Sequence, residues 1–84
     1  MMEVLVLTKD GCVFCDKTKA LLTQMHIPFK TRNLNENLTR EELLKLCPTA
    51  RTFPQIIISN KVIGGYSELI TYIQDTGFNG TGHG

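Results

Sequence analysis

Apolar and polar positions change their spacing several times along the chain, and each change predicts a different element. Glu3–Thr8 is a short, nearly continuous apolar run, which is typical of a strand covered on both faces in a parallel sheet. Val13–Met25 then has helical spacing, and its apolar stripe consists of Phe14, Thr18, Leu21, Leu22 and Met25. Because the residue before Pro28 avoids the helical region, we expect the helix to end there.

The middle of the chain predicts an edge strand and a short helix. Phe29–Leu34 alternates, with Lys30 and Arg32 on one face, as in a half-exposed strand near a sheet edge. Thr39 and Glu42 have the spacing of a capping box and therefore mark the start of the helix. A proline ends this helix, and its buried stripe is Leu43, Leu44 and Cys47.

The last third of the chain predicts a hairpin followed by a third helix. Two β-branched runs, Gln55–Ile58 and Lys61–Ile63, flank the turn residues Ser59-Asn60. Helical spacing then extends over Ser67–Thr76, and Gly77 suits the position just beyond the helix end.

The predicted order is β-α-β-α-β-β-α, which defines an α/β fold. The first β-α-β unit should be parallel and right-handed, and the hairpin should add two antiparallel strands to the same sheet. We therefore expect a four-stranded mixed sheet flanked by three helices, with helices on both faces. The chain has 84 residues, enough for one domain over residues 1–78, and residues 79–84 are expected to form a flexible Gly-rich tail.

Composition narrows the class of protein. A hydrophobic share of 42% excludes intrinsic disorder, and a net charge of +1 argues against a nucleic-acid binder. No apolar run is long enough to span a membrane, and no basic segment precedes an apolar one as in a signal peptide. These features predict a small soluble domain in the cytoplasm.

The cysteine pair Cys12-Val13-Phe14-Cys15 lies where the first strand passes into the first helix. Cys12 would be the N-cap and Cys15 would lie one turn in. A helix N-terminus stabilises a thiolate and lowers the pKa of the first cysteine, and the thiolate is the species that attacks disulfides. Cys15 could then resolve the mixed disulfide, while Lys9 adds a nearby cation.

A zinc site and an inert buried pair are the alternatives to this redox role. A structural zinc site needs four ligands, and the further candidates are Cys47, His26 and His83, of which Cys47 belongs to an apolar stripe. An inert buried pair is disfavoured, because the strand end and Gly11 should place both cysteines at the surface. A CxxC next to a β-α-β unit in a cytosolic protein indicates a redox pair, and no metal is expected.

Two weaker features accompany the cysteines. Thr52-Phe53-Pro54 precedes the Ile-rich strand, where a proline can adopt a cis bond or can simply begin a strand. Gly64-Gly65 leads into Tyr66-Ser67 at a helix N-terminus, which could bind a carboxylate or be an ordinary turn.

The three features together resemble the glutaredoxin family, in its small dithiol type. The resemblance runs from about Glu3 to Ile73 and is carried by T-K-D-G-C-V-F-C-D-K-T-K-A-L-L, R-T-F-P-Q-I and V-I-G-G-Y-S-E-L. It implies the thioredoxin fold, a cis-proline at Pro54 that faces the cysteines, and glutathione as the reducing co-substrate. The family motif usually has Pro where this chain has Val13, although Val is familiar in some phage members.

The resemblance also implies roles for individual residues. Lys9 would face the glycine-end carboxylate of glutathione, and the aromatic Phe14 would lie beside the site. The backbone of Phe53, in the segment Thr52-Phe53-Pro54, would pair with the cysteine of the tripeptide. The γ-glutamyl carboxylate would be held just after the two glycines, at Gly65, Tyr66 and Ser67. Arg40 on the second helix would add a cation. The family often has Asp where this chain has Ser67, and Glu68 is a candidate replacement.

The sequence thus predicts a glutathione-dependent thiol-disulfide oxidoreductase. Cys12 would attack a protein disulfide or a glutathionylated thiol, Cys15 would resolve the intermediate, and two glutathiones would reduce the pair again. Ribonucleotide reductase is a protein substrate implied by the resemblance, and the protein is expected to be a monomer. Two alternatives stay open: a glutaredoxin-like electron donor reduced by thioredoxin reductase, and a carrier of a [2Fe–2S] cluster held by Cys12 and glutathione.

Overall fold

The computed structural model describes residues 3–48 and 52–78. The described chain forms four strands, β1 (Val4–Thr8), β2 (Lys30–Asn33), β3 (Gln55–Ile58) and β4 (Lys61–Gly64). It also forms three helices, α1 (Val13–Gln24), α2 (Arg40–Leu46) and α3 (Tyr66–Thr76). The predicted element order is confirmed, with boundaries that differ by one or two residues. The predicted tail at residues 79–84 lies outside the described residues.

The four strands form one mixed sheet in the order β2-β1-β3-β4. β1 runs parallel to β2 and antiparallel to β3, so that Leu5 lies between Lys30 and Ile57. β3 and β4 form the predicted hairpin, with a register shift between Ile56 and Ile57. The apolar strands β1 and β3 are therefore central, and β2 and β4 lie at the edges, which confirms the edge position predicted for β2.

Helices cover both faces of the sheet and bury two separate apolar clusters. Alternate residues of β1 serve opposite faces, because successive strand side chains point in opposite directions. The larger cluster lies under α1 and α3 and contains Val4, Val6, Leu22, Ile27, Ile56, Ile58, Leu69 and Phe78. The smaller cluster lies on the face of α2 and contains Leu7, Leu38, Leu43, Cys47 and Ile57. Cys47 is thus the core residue that its apolar stripe predicts, but the stripe was wrong at Leu44, which is 47% exposed.

The predicted buried stripe of α1 was wrong at Phe14. The buried residues of this helix are Cys15, Thr18 and Leu22, whereas Phe14 is 53% exposed. At 3.6 residues per turn, Phe14 lies about 80° around the helix from Leu22, at the very first turn. This phase turns Cys15 toward the core and leaves Phe14 at the surface beside the cysteine pair.

Both predicted helix boundaries that rest on capping residues are confirmed. Thr39 Oγ1 accepts a hydrogen bond from the Glu42 amide at 3.1 Å, and Glu42 Oε1 accepts one from the Thr39 amide at 2.9 Å. Arg32 also donates to Glu42 Oε2 at 3.1 Å. The Thr39 amide first, and then Arg32, hold the pKa of the Glu42 carboxyl below its usual range. At the far end of the chain, Gly77 adopts the left-handed conformation and ends α3.

The depressed pKa of Glu42 has a defined consequence for stability. Its carboxylate stabilises the start of α2 at all pH values above the pKa of the unfolded chain. The contribution is lost as pH falls through the lower pKa of the folded protein. Because α2 is only seven residues long, this cap matters more to it than to a longer helix.

Thr39→Ala should lower the free energy of unfolding by about 1 kcal/mol, because it removes the N-cap acceptor of a short helix. Urea unfolding followed by circular dichroism measures the change. Thr71→Ala is the matched control, since Thr71 is exposed in the interior of α3 and caps nothing. Equal losses in the two variants would contradict the capping role.

Candidate active site

Cys12 is the N-cap of α1, as the sequence predicts. Its backbone is extended, with φ −103° and ψ 106°, and its Sγ accepts a hydrogen bond from the Cys15 amide at 3.1 Å. Cys12 and Cys15 are joined by a disulfide, with their Cα atoms 5.2 Å apart. The N-terminus of α1 therefore directs an amide and its dipole at the Cys12 sulfur.

The two cysteines differ in exposure. Cys12 is half-buried, whereas Cys15 is 1% exposed and belongs to the buried side of α1. The expectation that both cysteines lie at the surface was therefore wrong for Cys15, because the first turn of the helix rotates this side chain toward the sheet. A substrate disulfide can approach Cys12 from solvent, and Cys15 is left for the second, intramolecular step.

The loop before Cys12 is tied to the neighbouring edge strand. Asn33, at the end of β2, donates from Nδ2 to Asp10 Oδ1 at 3.0 Å. Its Oδ1 accepts from the buried Thr8 hydroxyl at 2.8 Å. Gly11 then adopts φ +70°, a conformation that glycine reaches without strain, and turns the chain into α1. Sequence reasoning missed Asn33, although a polar residue at the carboxyl end of the strand beside β1 was a usable signal.

Aromatic rings connect α1 to α3. They also connect the loop before Cys12 to the loop that contains Phe53 and Pro54, which we call the proline loop. The Phe14 and Tyr66 ring centroids are 5.9 Å apart. Lys9 Nζ lies 5.8 Å from the centroid of Phe53. Lys17, which sequence reasoning left unassigned, lies over the other ring, with Nζ 5.1 Å from the Phe14 centroid.

The proline loop and the two-glycine turn lie against each other. The Phe53-Pro54 peptide bond is cis, as the resemblance implies, and Pro54 is buried. Thr52 is exposed, and its carbonyl accepts a hydrogen bond from Gln55 Nε2 at 2.9 Å. A Cβ at Gly65 would lie 3.5 Å from the Pro54 carbonyl oxygen. The three motifs of the sequence are thus brought together at one end of the sheet.

The start of α3 uses Glu68 as its own cap. The Gly65 amide donates to Glu68 Oε1 at 2.8 Å, and a Cβ at Gly64 would meet the Glu68 side chain at 2.9 Å. Glu68, the candidate replacement for the family aspartate, therefore already binds its own helix. Tyr66 and Ser67 form the first turn, where backbone amides have no acceptor within the helix.

Arg40 is the one predicted site residue that the described contacts do not connect to the others. It is the exposed first residue of α2. This helix packs on the face of the sheet opposite to the one that α1 and α3 cover. Within residues 3–48 and 52–78, its side chain takes part in no hydrogen bond or ion pair with the cysteine, proline or glycine loops. Its role stays a prediction.

The same two segments contain one further thiol, that of Cys47. Burial raises the pKa of the Cys47 thiol, which keeps this cysteine protonated and unreactive. No three His, Cys, Asp or Glu side chains of the described chain cluster as metal ligands would. The helices of this part of the chain are all too short or too polar to cross a membrane. His83 lies outside the described residues.

A disulfide at a helix N-terminus, next to a cis-proline loop on a four-stranded mixed sheet, defines a thiol-disulfide oxidoreductase of the thioredoxin fold. The sequence profile of the glutaredoxin family matches residues 4–63, which is more than half of the chain. The chain belongs to the glutaredoxin family.

Known relatives agree with this assignment. The chain is 35% identical to Glutaredoxin-1 of Mus musculus over 83 residues, which covers 89% of this chain and 75% of the mouse protein. It is 36% identical to Glutaredoxin 3 of Escherichia coli K12 over 70 residues, which covers 82% and 83% of the two chains. A solved complex of buckwheat glutaredoxin with glutathione superposes with a TM-score of 0.74 at 26% identity, over 88% of this chain and 70% of that one.

Proposed function

We propose that the protein uses glutathione to reduce protein disulfides and glutathione mixed disulfides through Cys12 and Cys15. The observation that carries the proposal is the position of the three motifs around one disulfide. Lys9 lies against the proline loop and Tyr66 lies against Phe14, so a cation and a helix N-terminus flank the same cysteine pair. Glutathione has a carboxylate at each end, which matches this arrangement.

Each end of the tripeptide has a proposed partner. Lys9 attracts the glycine-end carboxylate, and an exposed ion pair of this kind contributes about 0.2–1 kcal/mol. The amides of Tyr66 and Ser67 receive the γ-glutamyl carboxylate, and a helix terminus contributes up to ~2 kcal/mol when it is partly buried. Together they favour glutathione by about one to two powers of ten, at ~1.4 kcal/mol per tenfold. The backbone of Phe53 pairs with the cysteine between these ends.

The reaction runs in two thiol exchanges. The Cys12 thiolate attacks one sulfur of the substrate disulfide, and the other substrate sulfur leaves as a thiolate and takes up a proton. Cys15 then loses its proton and attacks the Cys12 sulfur, which releases the second substrate thiol and forms the Cys12–Cys15 disulfide. Two glutathiones reduce this disulfide again and leave as glutathione disulfide.

Two further observations support this function. The solved buckwheat relative holds glutathione, and its fold matches that of this chain. The Cys15 amide donates to Cys12 Sγ at 3.1 Å in the disulfide form, which places a hydrogen-bond donor at the proposed nucleophile. Ribonucleotide reductase as a substrate, a monomeric state and a cytoplasmic location belong to the same proposal and rest on the resemblance and the composition.

The two rival functions differ from the proposed one in what the protein would bind, which is thioredoxin reductase in one case and an iron–sulfur cluster in the other. A donor reduced by thioredoxin reductase would not need Lys9 or the start of α3 to bind carboxylates. A cluster carrier would place iron on Cys12, which is followed in the chain by the bulky side chains of Val13 and Phe14, 64% and 53% exposed. The opposed cation and helix terminus therefore favour glutathione as reductant.

Cys12→Ser should abolish both reactions, because no other accessible thiolate replaces it. Cys15→Ser should lose reduction of protein disulfides and keep release of glutathione from a glutathionylated peptide, which needs one thiol. Cys47→Ala is the control and should keep both reactions, since Cys47 is buried in the core. The assigned roles are wrong if Cys12→Ser and Cys15→Ser are equally inactive on the glutathionylated peptide.

Lys9→Glu should raise the glutathione concentration needed for half-maximal reduction by about two- to twentyfold, because an attraction is replaced by a repulsion of similar size. The assay couples glutathione and glutathione reductase to NADPH oxidation. Lys61→Glu carries the same charge change on the exposed edge strand β4 and should behave as the parent protein. Efficient turnover with thioredoxin reductase, and none with glutathione, would overturn the assignment.

A further inference from the structure

One surface beside the cysteine pair exposes large apolar side chains. Val13 is 64% exposed and Phe14 is 53% exposed, the two highest values among the large hydrophobic side chains of the described residues. Lys17 follows Val13 by four positions and therefore lies on the same side of α1. We call Val13, Phe14 and Lys17 the Val13 patch.

The charge of Lys17 is not neutralised by a carboxylate. Its ammonium lies 5.1 Å from the Phe14 ring centroid, and over residues 3–48 and 52–78 it forms no ion pair. The carboxylates near the site have other partners: Asp16 pairs with Lys19 at 3.6 Å, Asp10 accepts from Asn33, and Glu68 accepts from the Gly65 amide. The Val13 patch is therefore apolar and positively charged.

We propose that the Val13 patch docks the substrate segment next to the reacting cysteine, and that it selects segments with an apolar residue and a carboxylate. The inference rests on the proposed reduction of protein disulfides and adds the class of substrate. Val13 directly follows Cys12, so a substrate sulfur bonded to Cys12 brings its chain neighbours over this patch. A carboxylate in that segment meets the Lys17 ammonium, whereas an amine is repelled.

The patch shares Phe14 with the groove proposed for glutathione and differs from it at Val13 and Lys17. That groove uses Lys9, the Phe53 backbone and the first turn of α3, on the side of the cysteine pair where the proline loop lies. Lys17 and Val13 belong to α1 itself and take no part in it. Substrate selection can therefore be changed without changing the site of the reductant.

A single-turnover experiment tests the preference without depending on glutathione. The protein is reduced with dithiothreitol, desalted and mixed with an excess of a peptide that contains one internal disulfide. Two electrons pass from the Cys12/Cys15 dithiol to the peptide, which leaves a protein disulfide and a peptide dithiol. Three peptides are compared, with Leu and two Asp, two Asn or two Lys beside the reacting cysteine, and acid-quenched samples are analysed by mass spectrometry.

We expect the parent protein to reduce the Asp peptide faster than the Asn peptide, and the Lys peptide slowest. One exposed ion pair corresponds to a factor of about 1.5–5 in rate at low salt. The preference should shrink at high salt, because the screening length falls to ~3 Å at 1 M.

Lys17→Glu should lower the ratio of Asp-peptide to Asn-peptide rates by about two- to twentyfold, and Lys17→Gln should lower it less. Each variant is its own reference, so a change in Cys12 reactivity or folding cancels in the ratio. Lys61→Glu is the control: it carries the same charge change on the exposed edge strand β4 and should leave the ratio within about 1.5-fold of the parent value.

The outcomes separate this inference from the proposed function. Reduction of all three peptides at one rate, or a preference for the Lys peptide, would overturn the docking surface and leave disulfide reduction intact. Failure to reduce any peptide would contradict the proposed function itself. If a second copy covers the patch instead, the peptide preference will be absent and sedimentation will show a dimer that Val13→Asp dissociates, which also overturns the inference.

Discussion

The hydrogen bond from the Cys15 amide to Cys12 Sγ is the interaction on which the active site depends. It satisfies an amide that the start of α1 would otherwise leave without a partner. It also makes the Cys12 sulfur part of the helix cap, where the disulfide to Cys15 holds it as well. The rest of the fold serves to hold this helix start at one end of a sheet.

Three loops converge on that helix start, and each is anchored by a different kind of contact. The strand end before Cys12 is held through Asn33, which bonds both Thr8 and Asp10. The proline loop and the α3 turn lie close together, because a Cβ at Gly65 would be 3.5 Å from the Pro54 carbonyl oxygen. The rings of Phe14 and Tyr66 close the remaining side. Because these anchors lie far apart in sequence, the site forms only when the whole domain folds.

Local signals made most of the fold predictable from the sequence. The apolar runs of β1 and β3, the Thr39 capping box and the Gly77 helix end each depend on residues a few positions apart, and each was confirmed. The rotational phase of α1 was the exception. Its stripe was centred on Phe14, although the buried side is set by packing of Cys15, Thr18 and Leu22 on the sheet.

The parts of the candidate site that a single local motif defines were predictable from the sequence. Contacts between residues far apart in the sequence were not. The helix N-terminus accounts for Cys12, and the family motifs account for Pro54 and Gly65. Asn33 and Lys17 were missed, because their roles depend on which loop or ring lies opposite them. Glu68 was a candidate replacement for the family aspartate, but it accepts a hydrogen bond from its own helix turn.

The most direct test of the central claim is the titration of the Cys12 thiol in the reduced Cys15→Ser variant, which keeps the amide at position 15. Ultraviolet absorbance of the thiolate is followed against pH, with the Cys12→Ser/Cys15→Ser protein as the blank for Cys47. If the start of α1 stabilises the thiolate, the pKa of Cys12 will lie at least ~1 unit below the ~8.5 of a free thiol. A pKa at or above ~8.5 would show that the helix terminus does not activate this cysteine.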